Sequence, residues 1–186
     1  MNINSRLRFL FIVLALLLVG STTIYAQCPG PLGGWLYRVP VNINNGGAVL
    51  TDYFVLITMN TQTPISQGKM RADGGDIRVA SSTCVLMNFW VESGLNTTTT
   101  KIWAKVPSLP SGATTIYVYY GMPSATRTNQ ASDVFGTGIM SLFTFTEGSG
   151  SLLHDWVGGH DLTVSCTWAS GFRNGVSSLT GFSSGL

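Results

Sequence analysis

The feature that most constrains this chain is an alternation of apolar and polar residues in short runs, each closed by turn-forming residues, with no sustained helical period anywhere after the leader. Alternation places successive side chains on opposite faces of an extended strand, so the chain is predicted to be all-β. WLYRVPVNI puts Trp35, Tyr37, Val39, Val41 and Ile43 on one face and Leu36, Arg38, Pro40 and Asn42 on the other. Pro40 has no N–H for a ladder, which predicts a sheet edge or a break there. Asn44 to Gly47 forms a turn, YFVLITM follows from Tyr53, Asp73 to Asp76 forms a second turn before IRVA, and CVLMNFWVE is apolar enough for a strand buried on both faces.

Ahead of these runs, Arg6 and Arg8 precede an apolar stretch from Phe9 to Val19 and then small and polar residues. This is the layout of a secretory signal peptide, expected to end at Ala26; the apolar stretch is short for a span of about 20 residues. Export predicts a secreted or cell-surface location, with no integral membrane span after cleavage. The leader takes two of the ten Lys and Arg residues with it, leaving eight bases against eight acids. Without a basic patch, nucleic acid is not an expected partner.

Cys28, Cys84 and Cys166 allow one intrachain bridge in an oxidising compartment. Cys28–Cys84 is the preferred pair because both fall in the first strand-rich segment, although spacing alone leaves the other pairings open. From Gly121 to Asp133 large apolar side chains are scarce, so this stretch reads as a linker. The expected organisation is therefore a signal peptide over 1–26, a β-sandwich over 27–130, and a second, incomplete strand-rich domain over 134–186, with further domains expected beyond it.

The stretch KIWAKVPSLPSGATTIYVYYG reads as two strands joined by a Pro- and Gly-containing loop. Paired as a hairpin, they would put Ile102, Ala104, Val106, Ile116, Val118 and Tyr120 on a core face and Lys101, Trp103, Lys105, Tyr117 and Tyr119 on the other. That second face is the candidate ligand-binding site: aromatic rings can take the C–H face of a sugar while lysines bond its hydroxyls. The competing structural reading has the rings packed beneath a loop or a second sheet, with the lysine stems running along them to water.

Arg71, Asp73, Asp76 and Arg78 fall in one turn; the spacing lacks the full calcium-loop pattern, and an ion-paired turn is expected. His154 and His160 lack zinc-motif spacing, and Glu92 and Glu147 are the only glutamates. No catalytic residue, metal site or cofactor is assigned, and the chain is not expected to be an enzyme.

W-x-Y-R at Trp35 to Arg38, LTDYFVLIT at Leu50 to Thr58, KMRADGGDIR at Lys69 to Arg78, WVES at Trp90 to Ser93, KIWAKVPSLPSG at Lys101 to Gly112, and IYVYYGMPSA at Ile116 to Ala125 together resemble a domain-of-unknown-function family of exported prokaryotic surface proteins, over residues 33–135. FTFTEGSGSLLHDWVGGHDLTV resembles the opening of a laminin-G-like domain of the concanavalin A-like lectin superfamily. The resemblances imply an antiparallel β-sandwich followed by part of a second, concanavalin A-like sandwich. The expected function is non-catalytic recognition of an extracellular glycan or surface protein. The alternatives are a structural spacer in a multidomain adhesin or filament and an accessory module of a secreted glycoside hydrolase.

Overall fold

A computed structural model describes residue 28 and residues 30–126, 130–136, 138–165, 167–170 and 177–180. The leader and Cys166 lie outside the described residues. The fold is all-β and antiparallel, built on two sheets. The first has the order β1 (Tyr37–Asn45), β7 (Gly112–Tyr120), β3 (Arg78–Ser81), β4 (Leu86–Met87); the second has the order β2 (Leu50–Met59), β6 (Thr100–Leu109), β5 (Phe89–Ser93). Two short helices, α1 (Gln62–Ser66) and α2 (Ala131–Phe135), and two two-stranded ladders, β8 (Leu152–Leu153) with β9 (Leu162–Thr163) and β10 (Thr167–Ser170) with β11 (Ser177–Thr180), complete the described chain. No helix among the described residues is long and apolar enough to cross a membrane.

The sheets pack face to face. Ile116, Val118 and Val79 of the first meet Ile57, Phe89, Val91, Ile102, Ala104 and Val106 of the second, with Ile77, Met87 and Leu109 filling the same core. These are the alternate residues of each run, so strand period sorts the inner from the outer face of each sheet. Pro40 lies on β1, an edge strand, opposite Tyr117 of β7. An edge is where a residue without an N–H costs the ladder least.

β6 and β7 do not form the expected hairpin. β6 pairs with β2 and β5, and β7 pairs with β1 and β3, so the chain changes sheets at Pro110 and Ser111. The corner is fastened by Asn45, whose Nδ2 donates to the carbonyls of Ala48 (2.8 Å), Leu109 (3.2 Å) and Pro110 (3.2 Å). The apolar faces of both strands point into one core, as alternation requires, but they meet across the sandwich instead of side by side.

The stretch read as a linker runs into α2, whose Ala131, Val134 and Phe135 are buried against the second sheet. The Gln130 N–H donates to Asp133 Oδ2 at 2.8 Å, closing the first turn, and Asn88 Nδ2 donates to the Asp133 carbonyl at 2.9 Å, tying the helix to the start of β5. The expected boundary at 130–134 therefore crosses a packed element.

Candidate functional site

Because β6 and β7 belong to different sheets, the five residues of the candidate platform separate onto the two outer faces of the sandwich. Lys101, Trp103 and Lys105 project from the second sheet, Tyr117 and Tyr119 from the first. No single surface carries all five, and the hairpin geometry that would have joined them is corrected accordingly.

On the second sheet, Trp103 lies beside Trp90 in register and half-buried under Phe135, the ring centroids 5.5 Å apart and nearly perpendicular. Phe54 packs on Phe135 from β2 at 5.0 Å, and Trp156 packs on Trp90 at 5.1 Å. Ile139, Leu142 and Val157 complete the cover, and Trp90 is only 2% exposed. A register shift in β5 between Val91 and Ser93 falls at Glu92, and Glu92 Oε2 accepts the Trp103 Nε1 hydrogen at 2.6 Å. Such a shift re-aims a side chain, here to the one polar atom of a ring that is otherwise in apolar company. Lys105 Nζ lies 3.4 Å from Asp52 Oδ2, and Lys101 is half-buried.

On the first sheet, Cys28 and Cys84 form a disulfide that lays the N-terminal segment across the outer face. Tyr119 is buried beneath it, 2% exposed, its hydroxyl 2.8 Å from Cys28 Sγ and accepting from Arg38 Nη1 at 3.3 Å. Tyr117 is half-buried with the Arg38 guanidinium 4.3 Å from its ring centroid. Trp35 has the Arg78 guanidinium 5.2 Å from its ring centroid, and its Nε1 donates to the Asp76 carbonyl at 2.6 Å.

The acidic turn is a structural joint. Arg71 grips Asp73 through Nε–Oδ1 at 2.9 Å and Nη2–Oδ2 at 2.7 Å, which holds the Asp73 carboxyl well below the usual carboxylate range. Its Nη1 donates to the Pro123 carbonyl at 2.5 Å. Asp76, 1% exposed, accepts the backbone N–H groups of Arg71 and Gly121, joining this turn to the end of β7. Among the described residues no group of three or more His, Cys, Asp or Glu side chains is placed to hold a metal ion.

A second joint, whose structural role the sequence reading did not assign, is Asp155. Its Oδ1 accepts the N–H groups of Leu142 (2.9 Å), Val157 (3.1 Å) and Gly158 (3.0 Å), and Oδ2 accepts that of His160 (3.2 Å). Burial opposes its ionisation, but the four N–H groups outweigh burial and hold the carboxyl well below the usual range. Gly158 is required by close approach: a Cβ there would lie 2.6 Å from Asp155 Oδ2. The knot fixes the turn that carries Trp156 and Val157 onto Trp90. The signal was legible as D-W-V-G-G, an acid followed by small residues, but the partner of that turn was not.

A shallow cleft of about 180 Å³ opens at one end of the sandwich, between Leu36 and Tyr37, the segment from Gly68 to Arg71, and Gly121 with Pro123, above Asp76.

Residues 73–157 match the model of a family described as a domain of unknown function, DUF2341. The match begins in the Arg71–Arg78 turn and ends at Val157, so it takes in α2 and the Asp155 turn, beyond the end expected near residue 135. No curated protein and no solved structure matches the chain.

Proposed function

We propose that this chain is a non-catalytic, exported module whose sandwich serves as a structural spacer in a larger surface protein. The observation that carries the reading is the second sheet's outer face: its richest aromatic surface, Phe54, Trp90 and Trp103, is covered by the chain's own residues 131–157. A face used to dock the next segment of the same chain transmits position from one part to the other, which is what a spacer does. That the family match extends to Val157 supports counting the cover as part of the module.

A non-catalytic role draws support from four acids that are tied to structural partners. Glu92 holds Trp103, Glu147 Oε1 accepts the His154 N–H at 3.0 Å, and Asp76 and Asp155 are held by backbone N–H groups. The laminin-G-like reading of residues 143–164 belongs to the same proposal: the knotted Asp155 turn and the short β8–β9 ladder suit the opening of such a domain. The roles of glycan-recognition module and glycosidase accessory module then require a surface other than the Trp103 face.

The test is a melting curve of Trp103→Ala beside a glycan-array screen of the parent protein and variant. The spacer reading expects a large fall in melting temperature and no array signal that depends on Trp103. Glycan binding lost in a variant that melts like the parent would overturn it.

A further inference from the structure

We propose that Asn45, followed by Gly46, is a site of covalent self-modification: its side-chain amide loses ammonia to become aspartate or isoaspartate, and the change unfastens the corner where the chain crosses between sheets. Asn45 ends β1, and Gly46 and Gly47 follow it exposed to solvent. A Cβ built on Gly46 would meet nothing within 4 Å. The Gly46 N–H has no hydrogen-bond partner among the described residues. The backbone nitrogen next to the Asn45 side chain is therefore unshielded, within reach of water and not held in a ladder.

Two sets of contacts around the amide suit the loss of ammonia. The Gly47 N–H donates to Asn45 Oδ1 at 3.0 Å. This oxygen takes up negative charge when a nucleophile adds to Cγ, and a donor fixed there favours the addition. On the other side, Nδ2 lies within hydrogen-bond distance of three carbonyls, those of Ala48 (2.8 Å), Leu109 (3.2 Å) and Pro110 (3.2 Å). A planar amide has two hydrogens for these three acceptors. The departing nitrogen carries three once it is protonated, so the carbonyls match the leaving group better than the resting amide. Contacts that strengthen along a reaction are the ones that speed it.

The reaction needs only water. The Gly46 nitrogen gives up its proton to solvent and bonds to Asn45 Cγ. The Cγ–Nδ2 bond breaks, and Nδ2 takes a proton from solvent and leaves as ammonia. Water then adds to the cyclic imide and opens it at either carbonyl, giving aspartate, or isoaspartate with the main chain routed through Cγ. In aspartate a carboxylate faces three carbonyl oxygens with no hydrogen to offer them; in isoaspartate the donor is gone as well and the main chain is one carbon longer. Either way the crossing at Pro110 and Ser111 loses its fastening.

This inference goes beyond the spacer reading and does not depend on it. The chain without residues 1–26 is incubated in mildly alkaline buffer, folded and, in parallel, unfolded in guanidinium chloride. Peptide mapping by mass spectrometry reads Asn45 separately from the other Asn-Gly pair, Asn174 and Gly175, which lies outside the described residues. Asn45 is expected to convert in the folded chain over the time in which the unfolded chain converts most of its own, and the converted protein to melt lower. Gly46→Ala places its Cβ in open space, so it is expected to melt like the parent and to slow conversion about tenfold. Asn45→Asp is expected to melt below the parent before any ageing. An Asn45 that stays intact in the folded chain, conversion without a fall in melting temperature, unslowed conversion in Gly46→Ala, or an Asn45→Asp variant that melts like the parent would each overturn the proposal.

Discussion

Trp103 shows how one side chain can carry two opposed readings until its neighbours are known. Lys101, Trp103 and Lys105 alternate in the sequence as a surface row would, and only the packing of Phe135 and the bond to Glu92 make that row an interface. Removing the ring leaves a void among Trp90, Phe135 and Phe54, and Trp103→Ala is expected to cost about 3 kcal/mol, the low end for a Trp truncation because the residue is half-buried. Trp103→Phe keeps most of the volume but strands Glu92 Oε2, for a smaller loss of about 1 kcal/mol; denaturant titration of both variants separates packing from the hydrogen bond. Asp155 gives a pH signature. Its carboxyl titrates well below the ordinary value of about 3.9 when folded. Its contribution is therefore full above that ordinary value and is lost as pH falls further towards the folded one. Asp155→Asn is expected to melt lower than the parent at neutral pH, with the gap narrowing in acid. A gap that widens in acid would show that the carboxylate's N–H bonds are not what stabilise the turn.

Among the elements, those whose pattern is local were legible and those whose partner is remote were not. Core residues such as Ile102, Val106, Ile116 and Val118 follow from alternation, because period two fixes which side of a strand faces inward. Which strand lies beside which is a different question: a two-residue link between β6 and β7 is equally a hairpin turn or a crossing between sheets, and the Asn45 bonds that hold the crossing come from about 65 residues earlier in the chain. α2 escaped detection because five residues are too few for a helical period, although Val134 and Phe135 marked an apolar pair within the supposed linker. Its importance can be measured. A chain ending at residue 130 loses the cover over Trp90, Trp103 and Phe54, and is expected to melt lower and bind more of a hydrophobic dye than one ending at residue 165. Equal melting and equal dye binding would make residues 131–157 a separate unit.

At the scale of the whole molecule, a disulfide and two carboxylate joints hold the sandwich to the segments around it. The Cys28–Cys84 bridge spans 56 residues and pins the N-terminal segment over Tyr119. In the chain-entropy picture a loop of that length contributes about 4 kcal/mol, and the double variant Cys28→Ser, Cys84→Ser is expected to unfold at correspondingly lower denaturant. An unchanged midpoint would mean that the bridge only decorates the fold. A sheet with an unpaired edge carries a further hazard that its own stability does not address. An open strand edge is a template for the edge of the next copy, and growth of that kind does not stop at two. β1 is such an edge, and Pro40 interrupts its run of donors. Pro40→Val restores an N–H on that edge strand and is expected to leave the melting temperature near that of the parent while raising light scattering in concentrated solution over days.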